Sequence, residues 1–330
     1  MKAAVLHQYG TMPQYEDFPD PVPQPGQQLI SVTAAAVKNL DRMIASGKHY
    51  HKMHQLPAVV GVDGVGTLPD GTRVYTGMIG SMMAERAVAD PARCTIIPAG
   101  TDDITAAALP NPGLSAWFSL QYRGAIQPGD TVLILGATGV TGKIAIQLAK
   151  HLGAGHIIAT GRNPEQLAKL PALGADTVIA MKGADDDFKA AIAAVNKEHP
   201  IDIVVDYLWG AYAEIVLHLL AGNDLNAEPR RIRFVHVGEM SGSTINLHGG
   251  ILRGSAIELY GIGGGSIPGH LMKQVPTTIL PHLYQLAADG RLIIETETLP
   301  LSEIASTWQQ LDKAGRRLVL TMVGYRRNAK

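Results

Sequence analysis

The feature that most constrains the fold of this chain is the stretch 131–153, TVLILGATGVTGKIAIQLAKHLG. It opens with Val132–Leu135, a short apolar run that is typical of a buried parallel strand. Three glycines follow at regular spacing, and apolar residues then recur with a helical period to the end of the stretch. A strand, a glycine turn and a helix in this order predict a dinucleotide-binding turn. Glycines let the backbone approach a pyrophosphate, and the helix N-terminus offers free N–H groups.

The residues of this turn are the candidate phosphate contacts. They are Gly136, Thr138, Gly139, Val140, Thr141 and Gly142. The Gly-x-x-Gly-x-x-Gly spacing differs from the commoner Gly-x-Gly-x-x-Gly, and an ordinary strand-to-helix turn is the alternative interpretation. The flanking strand and helix favour the dinucleotide site.

The next predicted strand indicates which dinucleotide is bound. His156–Thr160 is apolar and is followed by Gly161, Arg162 and Asn163. An NAD site usually has a carboxylate here, about 20 residues beyond the glycines, which binds the ribose 2′-OH. No carboxylate occurs before Glu165, whereas the guanidinium of Arg162 is suited to a phosphate. We therefore predict NADPH as the cofactor, bound in part by residues 161–163; the alternative is that Arg162 lies on a solvated loop.

The pattern of the chain changes at about residue 115. Before this point the sequence is rich in strand patterns and contains little helix. From Asp130 onwards strand and helix patterns alternate, with strands expected at 132–135, 156–160, 177–180, 203–206, 232–237 and 257–261. This alternation predicts an α/β fold with a doubly wound parallel sheet. After it we expect helices at 276–288 and 302–314 and strands at 292–298 and 318–323.

Composition limits the classes of function. The 330 residues are long enough for two domains, and 46% of them are hydrophobic. A net charge of −1 gives no global field for nucleic acid or for an anionic membrane, so we expect neither partner. The N-terminal apolar run is short for a signal peptide and no run approaches the length of a membrane span, so we expect neither. The single cysteine, Cys94, excludes an internal disulfide and favours a cytoplasmic setting.

A series of short segments along the whole chain carries a resemblance to a known family. The segments are Met1–Val5, Lys38–Asp41, Gly61–Gly66, Asp70–Val74, Leu114–Ala116, the glycine turn and Asp289–Leu292. In this order they resemble the zinc-independent medium-chain dehydrogenase/reductases of the quinone oxidoreductase type. The resemblance implies a GroES-like catalytic domain, 1–115 and 262–330, which is split by a Rossmann NADPH-binding domain, 116–261. It also implies a homodimer and adds Ser115 to the cofactor contacts.

Two positions depart from the patterns of related proteins. The related alcohol dehydrogenases bind a catalytic zinc through Cys, His and Glu, but their Gly-His-Glu position holds Gly61, Val62 and Asp63 here. Because a tetrahedral zinc site needs three or four ligands, we predict no metal. Lys38 stands where relatives often have an asparagine that approaches the nicotinamide.

The resemblance implies hydride transfer from NADPH to a small electrophile, a quinone or another α,β-unsaturated carbonyl. Tyr50 is the candidate proton donor, where relatives place a cleft tyrosine; a packing tyrosine is the alternative. Asp41 is expected to orient Tyr50 or to bind the ribose, with a helix-surface carboxylate as the alternative. Tyr207 follows the fourth strand of the parallel sheet, at the end where ligands bind, so we expect it to contact the cofactor. A non-catalytic NADPH-binding sensor is the alternative function.

Overall fold

The contacts of the chain divide it into two units. Unit 1 contains Met1–Asn111 and Lys273–Lys330, and unit 2 contains Pro112–Met272.

The computed structural model describes residues 1–49, 53, 55–77, 80–182, 185–221, 228–309 and 315–322. Its strands are β1 (Lys2–Leu6), β2 (Gln14–Asp17), β3 (Gln28–Ala36), β4 (Ala58–Val59), β5 (Gly64–Thr67), β6 (Arg73–Thr76), β7 (Arg86–Ala89), β8 (Thr95–Ile96), β9 (Thr131–Leu135), β10 (His156–Gly161), β11 (Thr177–Ala180), β12 (Ile203–Asp206), β13 (Ile232–His236), β14 (Ile257–Gly261), β15 (Thr296–Pro300) and β16 (Arg317–Thr321). Its α-helices are α1 (Asn39–Ala45), α2 (Asp103–Ala108), α3 (Pro110–Trp117), α4 (Val140–His151), α5 (Pro164–Leu167), α6 (Asp185–Glu198), α7 (Gly210–Leu220), α8 (Gly249–Arg253), α9 (Gly269–Met272), α10 (Leu280–Ala288) and α11 (Ile304–Thr307).

Unit 2 is built around a six-stranded sheet in the order β11-β10-β9-β12-β13-β14. All neighbouring strands are parallel, which confirms the predicted doubly wound sheet. Every residue of β9 and β12 is buried, as expected for central strands that are covered on both faces. The chain order reverses between β9 and β12. In sheets of this kind, ligands bind beyond the carboxyl ends of the strands at such a reversal.

Unit 1 is β-rich. Its larger sheet has the order β15-β16-β3-β5-β6-β8, with β7 also paired to β3, and a smaller sheet has the order β2-β1-β4. All of these pairs are antiparallel except that of β15 with β16. A buried apolar cluster that includes Leu6, Ile30, Val32 and Leu320 packs beneath these strands.

The C-terminal part of unit 1 corrects two expectations. The strand expected at 292–298 lies at Thr296–Pro300, because pairing with β16 selects this segment, whereas Ile293 of the apolar run is 56% exposed. A short apolar run does not by itself distinguish a strand from other buried segments. The helix expected from residue 302 is the short Ile304–Thr307, and residues 310–314 lie outside the described part of the chain. Among the described residues, none of the helices has the length and apolar character that a membrane crossing requires.

Candidate cofactor and active site

The glycine turn lies between the end of β9 and the start of α4. Gly136 has φ +85°, a left-handed conformation that favours glycine. The N–H of Ala137 donates to the Thr160 carbonyl at 2.7 Å, which anchors the turn to β10. α4 begins after Gly139, which as the N-cap has no side chain to satisfy the first N–H groups of the helix. These N–H groups, beginning with that of Val140, are suited to an anion.

The structure distinguishes the roles of the three glycines. A Cβ added to Gly142 would lie 2.5 Å from Ala137 Cα, so this glycine allows the helix to pack on the turn. A Cβ on Gly136 would lie 2.9 Å from Leu208 Cδ2. At Gly139 the nearest atom to an added Cβ is the Gly136 carbonyl oxygen at 3.6 Å, and the residue is exposed. The space beside Gly139 is therefore a cradle that a side chain would partly fill, and it fits a pyrophosphate.

Two contacts link the turn and α4 to the end of β10 and to α5, the helix that follows it. A Cβ on Gly161 would lie 2.4 Å from Thr138 Cγ2, so the Thr138 side chain packs on the bare backbone of this glycine. Lys143, in the first turn of α4, is buried, and its Nζ donates to Gln166 Oε1 at 2.7 Å. This bond joins α4 to α5. The sequence pattern did not indicate a role for Lys143, although this residue directly follows the third glycine.

An open surface depression begins beyond β10. It is lined by Arg162, Asn163, Pro164, Glu165 and Lys182. Because β10 and β11 are parallel neighbours, the residues that follow them lie at the same edge of the sheet. Arg162 and Lys182 are both exposed there, and two cations on one depression are suited to a phosphate. The side chain of Asn163 caps α5, with Oδ1 accepting from the Gln166 N–H at 3.2 Å. Lys182 was missed, because charged residues after strands are common.

Tyr207 and Ser115 are brought together within unit 2. Tyr207 directly follows β12 and is only 8% exposed. Its Oη is buried and has no hydrogen-bond partner among the described residues. Burial raises the pKa of the Tyr207 phenol, and the Ser115 side chain lies close enough to oppose this rise in part without meeting hydrogen-bond geometry. A buried hydroxyl without a partner is unusual, and it fits a site where a ligand supplies the missing hydrogen bond.

Asp41 lies in a buried ionic cluster of unit 1, so it is not the helix-surface carboxylate considered as an alternative. Its Oδ2 accepts from the Lys38 N–H at 2.9 Å, and its Oδ1 accepts from the Val62 N–H at 2.8 Å. These bonds attach the start of α1 to the segment before β5. A contact of Asp41 with the ribose or with Tyr50 stays a prediction, since Tyr50 lies outside the described residues.

Lys38 is at the centre of this cluster. Its Nζ donates to Asp63 Oδ1 at 2.6 Å and to the Ala36 carbonyl at 2.9 Å, and it lies 3.4 Å from Asp41 Oδ2. Burial lowers the pKa of Lys38, but the charges of Asp41 and Asp63 outweigh this effect and the net pKa is raised. An ammonium thus lies against Asp63, in the segment that the family resemblance aligns with the Gly-His-Glu of zinc-binding alcohol dehydrogenases. In the described part of the chain, no group of three His, Cys, Asp or Glu could hold a metal ion.

Comparisons with known proteins bear on the same regions. A family model described as zinc-binding dehydrogenase matches residues 140–223. The probable NADPH-dependent quinone reductase tdiC of Emericella nidulans is 28% identical over 97% of this chain and 99% of its own length. Prostaglandin reductase-3 of Bos taurus is 26% identical over 87% of this chain and 76% of its own length. The crystal structure of Escherichia coli quinone oxidoreductase complexed with NADPH has a TM-score of 0.83 at 21% identity, covering 97% of this chain and 100% of that one.

These matches support a place for the chain among the quinone oxidoreductase-like medium-chain dehydrogenase/reductases. The two full-length relatives that support this placement, tdiC and prostaglandin reductase-3, are both named as reductases. The segment that matches the zinc-binding dehydrogenase model lies within unit 2 and does not include Gly61–Asp63. The match therefore covers the helix that follows the glycine turn. It gives no information on a metal at Gly61–Asp63, which lie in unit 1.

Proposed function

We propose that this protein is an NADPH-dependent reductase that transfers hydride to a quinone or another α,β-unsaturated carbonyl without a metal ion. The observation that carries the proposal is the arrangement along the carboxyl edge of the parallel sheet. The open cradle at Gly139 lies after β9, and the exposed cations Arg162 and Lys182 follow the adjacent β10 and β11. The name of tdiC, which the chain matches over nearly its full length, supports the same cofactor and acceptor class.

Each part of this edge has a role in binding NADPH. The N–H groups at the start of α4 would bind the pyrophosphate, and Arg162 with Lys182 would bind the 2′-phosphate. Tyr207 and Ser115 would offer hydroxyl groups to the other half of the molecule. When bound, NADPH supplies a hydride; the protein orients it and keeps the acceptor close to it.

The proposal that no metal takes part rests on the donor set in unit 1. Val62 replaces a histidine, and the ammonium of Lys38 lies 2.6 Å from Asp63 Oδ1. An ammonium donates hydrogen bonds and repels a divalent cation, so this cluster is a poor metal site. Metal analysis of active enzyme, and an assay after chelation, test this directly. Stoichiometric zinc whose removal abolishes activity would overturn this part of the proposal.

The experiment that tests the function follows the oxidation of NADPH and of NADH against a panel of quinones and enones. We expect turnover with NADPH and with at least one acceptor class. NADPH binding without turnover of any acceptor would instead support the sensor alternative. The homodimer that the family resemblance implies and the cytoplasmic location that the single cysteine favours are part of the proposal, and sedimentation and fractionation check them.

A further inference from the structure

The carboxyl ends of β12 and β13 carry polar side chains that the proposed cofactor contacts do not use. Asp206 ends β12 and His236 ends β13, and the two are register partners in the parallel pairing. His236 Nδ1 lies 3.9 Å from Asp206 Oδ2, and it is buried without a hydrogen-bond partner in the part of the chain that is described. The His236 side chain is nevertheless 25% exposed. The imidazole therefore places one nitrogen beside a buried carboxylate while other ring atoms reach solvent.

Asp206 is itself held in place. Its side chain is fully buried, and Oδ1 accepts N–H bonds from Leu208 at 2.8 Å and from Trp209 at 3.0 Å. Trp209 has φ +56°, a left-handed conformation that is strained for a residue other than glycine. The indole of Trp209 lies against the His236 ring, with centroids 4.1 Å apart. The imidazole thus lies beside a buried carboxylate and against an aromatic ring.

The expected direction of the cofactor brings its nicotinamide half to the carboxyl ends of β12 and β13. In the proposed function, Arg162 binds the adenosine phosphate beyond β10 and the glycine turn binds the pyrophosphate beyond β9. The sheet order is β11-β10-β9-β12-β13-β14. A dinucleotide that runs from β10 to β9 continues toward β12 and β13, where Tyr207 and His236 lie.

We propose that His236 is the proton donor for the reduction of an α,β-unsaturated carbonyl and that Asp206 positions it, an inference that rests on the proposed function. Hydride addition to the β-carbon of the substrate leaves an enolate. The Nε2–H bond of protonated His236 breaks and a C–H bond forms at the α-carbon, which completes the saturated carbonyl. Solvent then returns a proton to Nε2. Asp206 keeps the proton on Nδ1 throughout, as a carboxylate does beside a catalytic imidazole.

This assignment separates two classes of acceptor. An enone requires a proton at carbon, where an oriented acid accelerates the step. A quinone becomes an aromatic hydroquinone, and its oxygens take protons readily from water. The His236–Asp206 pair therefore points to an enone as the substrate on which the protein is most effective.

The first test compares His236→Gln, His236→Phe and the control His218→Gln, a change at the exposed C-terminal turn of α7. Phenylalanine keeps an aromatic ring beside Trp209 but has no proton to give. For both His236 variants we expect kcat with an enone to fall by about 10²-fold or more, the usual contribution of a general acid. With a quinone, kcat should stay within about threefold, and the Kd for NADPH measured by titration should be unchanged. His218→Gln should match the parent in all three measurements.

The second test uses the free protein and does not depend on turnover. Long-range ¹H–¹⁵N NMR of the histidine rings should show the neutral His236 imidazole with its proton on Nδ1, and Asp206→Asn should shift the tautomer. The charged groups that face the ring are Asp206 and Glu239, whose Oε1 lies 4.0 Å from His236 Nε2.

Three results would overturn the inference. Enone reduction by His236→Gln within about threefold of the parent would exclude a proton donor. Retained enone activity in His236→Phe would reduce the role of the imidazole to packing. An equal loss with quinone and enone, together with weaker NADPH binding, would assign His236 to cofactor binding. A parent enzyme that binds NADPH but reduces no acceptor would instead overturn the proposed function, and this inference with it.

Discussion

Lys38 Nζ lies 2.6 Å from Asp63 Oδ1, and both side chains are buried. Asp41 provides a second carboxylate, and the Ala36 carbonyl a further acceptor. A charged group leaves water at a large free-energy cost unless partners of this kind surround it. The cluster therefore joins β3, α1 and the segment before β5 through one ammonium.

Replacement of Lys38 by methionine should destabilise the protein strongly. The change leaves the Asp63 carboxylate buried without its partner, a loss of about 3–5 kcal/mol in the free energy of unfolding. Burial already raises the pKa of Asp63, and loss of the ammonium raises it further. Asp63 then takes up a proton at low pH, so the penalty should be smaller at about pH 5 than at about pH 8. Urea unfolding at the two pH values measures it.

The control is the double variant Lys38→Met/Asp63→Leu, which removes both charges. It should be more stable than Lys38→Met alone, because no uncompensated charge remains between these two positions. The parent should also lose stability as the pH rises through the raised pKa of Lys38, whose ordinary value is 10.5, because the folded state holds this proton more tightly than the unfolded state. Equal stability of parent and Lys38→Met at both pH values would contradict the importance of the cluster.

Arg162→Ala should change the choice between the two nicotinamide cofactors. NADPH binding should weaken by about 1.5–3 kcal/mol, the scale of hydrogen bonds to a charged group, while NADH binding stays nearly constant. Lys182→Ala should act in the same direction. Calorimetric titration with both cofactors is the measurement, and Lys150→Ala, an exposed change in the last turn of α4, is the control. Equal or tighter binding of NADH by the parent would defeat this prediction.

Tyr207→Phe should have different effects on the melting temperature of the free protein and on its affinity for NADPH. Because the buried Oη lacks a hydrogen-bond partner within the described residues, its removal should leave the melting temperature of the free protein unchanged or slightly higher. If a ligand group pairs with Oη in the complex, affinity for NADPH should fall by about 1 kcal/mol, the net scale of a hydrogen bond. Thermal unfolding and NADPH titration on one sample measure both effects. Unchanged affinity would remove Tyr207 from the set of cofactor contacts.

The sequence was most informative where one short segment determines its own structure. The run 131–153 contains the strand, the turn and the helix, so its apolar period and its glycines predicted all three without knowledge of any distant residue. The parallel sheet followed, because repeated strand and helix patterns of this kind have few ways to pack. The strand after Leu292 was misplaced because its position depends on pairing with β16, which no local pattern reveals.

The parts of the candidate site that were missed all depend on residues that are distant in the chain. Lys38 and Asp63 are separated by 25 positions and meet only in the folded unit. Lys182 lines the same depression as Arg162 because β10 and β11 are parallel neighbours. His236 acquires a carboxylate neighbour because β13 pairs with β12 in a particular register. Single charged residues near strand ends are too common in sequences to predict such pairs.

Variants of the glycine turn should distinguish a loss of cofactor binding from a loss of folding stability. Gly139 has φ −75°, which any residue adopts, and an added Cβ would meet only a carbonyl oxygen at 3.6 Å. Gly139→Val should therefore fold with nearly the stability of the parent but fail to bind NADPH, because its side chain enters the cradle. Gly142→Ala should lose stability, since its Cβ would lie 2.5 Å from Ala137 Cα and the helix would have to shift. Thermal unfolding and calorimetric titration on the same samples distinguish the two variants. If Gly139→Val bound NADPH as the parent does, the turn would not hold the pyrophosphate, and the proposed site would have to lie elsewhere.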